Sequence, residues 1–193
     1  MNNGLVFNPE THEYFWNGVK RISVTQYLKL AGFIDSRWYT DKGRQRGQAV
    51  HLACSYLNEN DLDWNSVDEP YKPYVDGYRL FMSDTNFVPQ LVEHRVYDEI
   101  WGVAGTLDAT GTWKLTSGNI LIDIKTGQVQ PWAAIQTSAY EACLGASHRR
   151  YALELRDNGT YRLHEYKDRN DIKVFKCIVT QTNWAIQQGI ITV

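Results

Sequence analysis

The chain has 193 residues, of which 43% are hydrophobic and 22% charged, and its formal net charge is −2. That length and apolar content support one substantial core, and with the moderate charge they exclude a wholly disordered chain. The charge argues against a protein that coats nucleic acid by counterion release, but not against an enzyme that gathers acids at one point, where bound metal reverses the local sign. Seven Trp and twelve Tyr serve as core or as base-stacking surface, and composition leaves both readings open. Cys54, Cys143 and Cys177 are far apart, with no C-x-x-C pair, and read as free thiols in a reducing compartment rather than a disulfide scaffold or zinc site. With no run long enough to span a membrane and no signal-peptide pattern, the expectation is a cytoplasmic protein without membrane contact.

In chain order, Leu5 to Ile22 read as a hairpin, with strands Leu5-Val6-Phe7 and Tyr14-Phe15-Trp16 and a turn at Asn8-Pro9-Glu10. Ser23 or Thr25 caps a short helix through Leu30, which Gly32 ends. A longer helix is expected from about Ser36 to Leu57, with Val50, Ala53, Cys54 and Leu57 as its apolar stripe. Trp64 to Pro73 is polar, holds two prolines, and reads as a flexible linker or insertion. A helix over Tyr74 to Met82 follows. From Val88 the period changes, and Leu91 to Tyr97, Val103 to Trp113 and Ile120 to Lys125 are expected as three consecutive strands. A helix starts near Pro131 and stops at Gly145. Strands Tyr151 to Leu155 and Tyr161 to Tyr166 flank the turn Asp157-Asn158-Gly159. A last helix, from about Asn170 to Gly189, carries Ile172, Phe175, Ile178 and Val179 on one side. Helices bracketing a central sheet make the fold class α/β, or α+β.

The chemistry concentrates in Ile120-Leu-Ile-Asp-Ile-Lys125. Strand alternation sends the three isoleucines to one face and Leu121, Asp123 and Lys125 to the other. Two opposite charges thus emerge at the end of a largely buried strand, where an ion is costly unless paired or bound to metal. They pair with each other, or they form part of a site. Asp108 ends the stretch Trp101 to Asp108, and a turn at Thr116 to Asn119 brings it close to Asp123 across the ladder. Two neighbouring carboxylates repel, and a divalent cation relieves the repulsion. A lysine beside them orients attacking water and answers charge on a phosphate. Gly47 and His51 share one helical face a turn apart, and Gln136 and Tyr140 do the same on the helix after Lys125.

Together, Gly47-x-x-x-His51, Gly105-Thr-Leu-Asp108, Asp123-Ile-Lys125 and Gln136-x-x-x-Tyr140 resemble, in order, the signature of RecB-type nucleases of the PD-(D/E)xK superfamily. The resemblance spans roughly residues 22 to 141. Ile22-Ser-Val-Thr-Gln-Tyr-Leu28 is similar to a segment upstream of the histidine in phage exonucleases and mitochondrial genome maintenance exonucleases of this group. The proline of the superfamily name is replaced here by Leu107.

The resemblance implies a restriction-endonuclease-like core over residues 1–193, with the hairpin and the His-bearing helices in the first 85 residues and the catalytic sheet in 86–193. It implies His51, Asp108, Asp123 and the Ile124 carbonyl as ligands of one or two Mg²⁺ or Mn²⁺ ions, Lys125 as the catalytic lysine, and Gln136 and Tyr140 as supports that contact the substrate strand. Glu93, in Val92-Glu-His-Arg-Val96, matches an acid that some members use near the metals; an exposed strand glutamate explains it equally well. No iron–sulfur cluster is expected, since members that hold one use four cysteines.

Lys42, Arg44 and Arg46 precede His51 on the same helix, and Arg44 shares its face. They hold a phosphate or form a solvated basic face. Trp38, Tyr39, Tyr14 and Trp16 stack bases or pack inward. The expected function is metal-dependent cleavage of DNA from an end, in phage or prophage recombination or DNA processing, with room for a recombination partner protein and no oligomeric state implied. The alternatives are a nucleic-acid-binding module that kept the fold without the activity, and an unrelated α/β protein.

Overall fold

The computed structural model describes residues 4–35, 37 and 40–192. The chain begins as an antiparallel meander of β1 (Leu5–Asn8), β2 (Glu13–Trp16) and β3 (Val19–Ser23). The third strand corrects the two-stranded hairpin expected over Leu5 to Ile22. It follows the tight turn Asn17-Gly18, whose φ angles are +50° and +78°, the conformation that suits a two-residue hairpin loop. Ser23 ends β3 and caps α1 (Val24–Leu30): the Gln26 N–H donates to Ser23 Oγ, and the Ser23 N–H donates to Gln26 Oε1. This reciprocal cap sets the helix direction where the strand stops.

Thr40 caps α2 (Asp41–Glu59) through its hydroxyl, which accepts from the Gly43 N–H. The helix expected from Ser36 therefore begins at Asp41; Ser36, Trp38 and Tyr39 lie outside the described residues. The stretch read as a linker is folded instead. Two single-turn 3-10 helices, Trp64–Ser66 and Glu69–Tyr71, lead directly into α3 (Lys72–Thr85). Its two prolines stand in first turns, where no backbone N–H is needed. The Trp64 ring lies beneath the cations of Lys72 and Arg79, 5.7 and 5.1 Å away.

The central sheet follows with β4 (Val88–Asp98), β5 (Val103–Thr112) and β6 (Ile120–Lys125), all antiparallel neighbours. Helix α4 (Trp132–Leu144) crosses over to β7 (Arg149–Leu155), parallel to β6, and β8 (Tyr161–Tyr166) closes that edge before α5 (Asp171–Gln187). The sheet runs β1-β2-β3-β5-β6-β7-β8, with β4 paired to β5. Helices cover both faces, as the alternation along β6 requires. Leu121 joins Val24, Leu28, Ile135 and Phe175 beneath α1, α4 and α5, whereas Ile120, Ile122 and Ile124 join Val50, Cys54, Tyr78 and Phe81 beneath α2 and α3. This is the mixed, helix-flanked sheet expected. Among the described residues no helix is long and apolar enough to cross a membrane.

One feature of the sheet positions the site. Strand β4 pairs along one edge of β5 from Val103 to Thr112. On the other edge β3 takes only Val103 and Ala104, and β6 takes only Ala109 to Gly111. Residues 105–108 thus line a gap where β3 and β6 diverge. The alternation of β5 also breaks there, since Leu107 packs with the α4 side and Ala109 with the α2 side. Opposite the break, Glu93 on β4 has φ +43°, a left-handed conformation costly for this residue type and characteristic of functional positions.

Candidate metal centre and active site

Asp108 stands at the break in β5. The pair Ala109–Ile122 is the last of the β5–β6 ladder, and beyond it the Asp108 side chain replaces the lost backbone partner. Its Oδ2 accepts the Ile124 N–H at 2.5 Å. Its Oδ1 lies 3.2 Å from His51 Nδ1, which α2 presents from the other layer. Glu93 approaches from β4, and one donor atom each from His51, Glu93 and Asp108 lie within 4.8 Å of one another. Two hard carboxylates and an imidazole converging at this spacing, on the wall of a cleft, fit a divalent cation.

Asp123 and Lys125 stand on the opposite face of β6 from its isoleucines, as the alternation requires. Lys125 Nζ lies 2.7 Å from Asp123 Oδ2, donates to Gln136 Oε1 at 3.1 Å and sits 5.1 Å from the centre of the Trp132 ring. Gln136 Nε2 in turn donates to the Tyr140 hydroxyl. Gln136 and Tyr140 are buried, so in this arrangement they hold the lysine. Gly105 explains why Tyr140 fits: a Cβ there would come within 2.7 Å of Tyr140 Cε1.

The electrostatics are those of an acid cluster short of positive charge. Burial raises the Glu93 pKa to about 7, helped by the charge of Asp108. Burial also raises Asp123 to about 6, with Lys125 opposing the shift and Asp108 adding to it. Burial pushes His51 down, but contact with Asp108 more than reverses this and carries the imidazole to about 9. Asp108 falls below its ordinary value: burial raises it, but His51, Lys125 and the Ile124 N–H together lower it further.

Two open clefts flank this floor. One, of about 370 Å³, is lined by Arg44, Arg46, Gly47, His51, Lys125, Thr126, Gly127 and Trp132, among others. Arg46 lies 5.3 Å from the centre of the Tyr74 ring and donates to Thr126 Oγ1 at 3.3 Å, whereas Arg44 pairs with Asp41. A Cβ on Gly47 would meet nothing nearer than Thr126 Oγ1 at 3.9 Å. This glycine therefore borders open space, not a close protein neighbour.

The structure thus brings together His51, Glu93 and Asp108, and sets Asp123, Ile124, Lys125, Gln136 and Tyr140 beside them. Glu93, which the sequence left as an ordinary strand glutamate or a site acid, shares the three-donor cluster. Asp123 is engaged by Lys125. Tyr14 is buried and bonded to Thr106, and the half-buried Trp16 stacks on Tyr97 with ring centres 4.5 Å apart, which is the inward packing of the two readings. Sequence reasoning missed Trp132, Thr126 and Gly127, although their proximity to Lys125 in the chain was the available signal.

No protein-family model matches the chain, and no curated protein matches its sequence. Solved structures do match. The alkaline exonuclease LHK-Exo from Laribacter hongkongensis superposes with a TM-score of 0.51 at 14% identity, covering 88% of this chain and 89% of that one. LHK-Exo in complex with dAMP gives a TM-score of 0.51 at 15% identity, with the same coverage. In fold the chain is therefore similar to the alkaline exonuclease, in agreement with the restriction-endonuclease-like core that its motifs imply.

Proposed function

We propose that the chain is a divalent-metal-dependent deoxyribonuclease that hydrolyses phosphodiester bonds from DNA ends. The observation that carries this reading is the convergence of His51, Glu93 and Asp108 within 4.8 Å beside the Asp123–Lys125 pair. His51, Glu93 and Asp108 would hold the ion, with Asp123 adjoining, and their mostly oxygen donor set suits Mg²⁺ or Mn²⁺. The bound metal would activate water and neutralise charge on the phosphate. Lys125 would orient the attacking water and answer the charge that develops on the phosphoryl oxygens. Gln136 fixes the lysine amine, and Tyr140 fixes Gln136. Arg46, braced by Tyr74 and Thr126, and Arg44 offer cations to the backbone of the bound strand.

The fold shared with an alkaline exonuclease recorded with dAMP supports a deoxynucleotide substrate. The similarity of Ile22 to Leu28 to phage exonucleases supports a role in recombination or DNA processing, alongside a partner protein.

The test is end-labelled single- and double-stranded DNA and a closed circle, incubated with wild type and Lys125→Ala in Mg²⁺, Mn²⁺ or EDTA. The expected result is metal-dependent loss of linear DNA, a spared circle, and an inactive Lys125→Ala. Folded wild type that cuts nothing while a control nuclease does would overturn the reading and favour a binding module.

A further inference from the structure

A second cleft, of about 420 Å³, lies on the other side of the Gly47–His51 ridge and is lined by His12, Gly47, Gln48, His51, Leu52, Ser55 and Glu93. It shares Gly47 and His51 with the cationic cleft, so the three-donor cluster sits where the two meet. Their linings differ in kind. Arg44, Arg46 and Lys125 line the first, whereas among the described residues no lysine or arginine lines the second, which includes the Glu93 carboxylate. A phosphate finds three cations in the first and no lysine or arginine in the described lining of the second.

The second cleft also presents apolar and ring surface that is exposed among the described residues. Leu52, one residue after His51, is 54% exposed. His12 projects from the β1–β2 turn with φ +56°, and its exposed ring packs edge-on against Phe7 with centres 5.1 Å apart. A left-handed histidine and an exposed leucine around one hollow beside a candidate reaction centre suit an occupant that is flat, largely apolar and uncharged. The volume is in the range of small-ligand sites.

We propose that this cleft is a slot for the nucleobase of the terminal nucleotide, with His12 and Leu52 as its contact surfaces. The proposal rests on the nuclease reading above and supplies its preference for ends. The strand's phosphates lie in the cationic cleft, the scissile bond lies at the His51 ridge, and the β1–β2 turn bounds the space that the last base fills. Base stacking of this kind tolerates any sequence, because every base has a π-face.

The experiment compares linear single-stranded DNA bearing a normal or an abasic nucleotide at the end the protein attacks. The proteins are wild type, His12→Asn, Leu52→Ser and Leu52→Met; His12→Asn keeps a residue that tolerates the left-handed turn. KM and kcat are measured separately with Mn²⁺. In wild type, removing the terminal base is expected to raise KM about tenfold, as the loss of one stacking contact, with kcat little changed. His12→Asn and Leu52→Ser are expected to raise KM for normal DNA and to stop distinguishing the two ends, and Leu52→Met to keep the distinction. Wild type that cuts both ends alike, or variants that discriminate as wild type does, would overturn the slot and leave the nuclease reading intact. Wild type that cuts neither substrate would remove the nuclease reading, and the slot with it.

Discussion

Two groups of buried charge border helix α4, and they are built to opposite ends. On the face that carries Ala134 and Glu141, Arg150, 1% exposed, pairs with Glu141 and Asp171 and donates to the carbonyls of Ala134 and Asp168. Arg169 also pairs with Glu141. Two cations answer two carboxylates, and the group ties α4, β7 and the start of α5 together. On the face of Gln136 and Tyr140, Glu93, Asp108 and Asp123 stand with one lysine and one histidine, and Glu93 and Asp123 are raised to about 7 and about 6. The first cluster is complete with protein groups alone. The second, short of positive charge, has the composition of a site completed by a cation.

The sharpest way to break this contrast is to remove one group from each cluster. Arg150→Ala takes the ion pair from Asp171, leaves Glu141 with Arg169 alone, and is expected to destabilise the fold by about 3–5 kcal/mol, read as a large fall in melting temperature. Lys125→Ala is expected to lower cleavage by at least about a hundredfold with a smaller fall in melting temperature, because Asp123, already raised to about 6, takes up a proton when its lysine is gone. If the two variants exchanged these phenotypes, the assignment of one cluster to stability and the other to chemistry would be wrong.

Metal should act on the second cluster alone. A divalent cation at a hundred times its Kd would add about 2.7 kcal/mol of stability, and the size of the effect should depend on pH. In the metal-free protein Asp123, Glu93 and His51 all have raised folded pKa values, near 6, 7 and 9. Each contributes stability that is full below its unfolded value, 3.8, 4.5 and 6.5 respectively, and is lost as pH rises through the folded value. Asp108 works the other way, at lower pH. Metal-free stability should therefore decline from about pH 4 to about pH 9. Ligands must be ionised carboxylates and neutral imidazole, so the metal-induced rise in melting temperature should grow over the same interval. Thermal melts with and without Mn²⁺ at pH 6.0 and 8.5 measure this; a larger shift at pH 6.0 would contradict it.

The smallest expected effect comes from the support of the lysine. Gly105→Ala forces a Cβ to within 2.7 Å of Tyr140, costing about 1–3 kcal/mol by overpacking. The displaced Tyr140 should also loosen Gln136 and Lys125 and lower kcat more than it raises KM. An unchanged kcat would detach Tyr140 from the chemistry.

Much of this was legible in the sequence, for definite reasons. The alternation of Ile120 to Lys125 separated its isoleucines from Asp123 and Lys125, and the i, i+4 spacing of Gln136 and Tyr140 placed both beside the lysine. Strand β3 was signalled by Asn17-Gly18 but obscured by Val19-Lys-Arg-Ile-Ser23, which lacks clean alternation. Trp64 to Pro73 has linker composition, yet its prolines start helical turns and its tryptophan is held by Lys72 and Arg79. Residue pattern alone left Glu93 open and only the resemblance put it near the metals, because its place depends on β5 breaking its alternation at Asp108 and on β4 turning left-handed opposite the break. His12 was hidden too: a turn residue 39 positions before His51 in the numbering shares a cleft with it only through the tertiary fold.

The most direct test of the account is calorimetric titration of Mn²⁺ into wild type and Asp108→Asn at pH 8. The account predicts saturable binding to wild type that is abolished, or weakened at least about tenfold, in the variant, with both proteins equally folded. Wild type that binds no Mn²⁺, or a variant that binds it as tightly as wild type, would contradict the claim that the cluster around Asp108 is a metal centre.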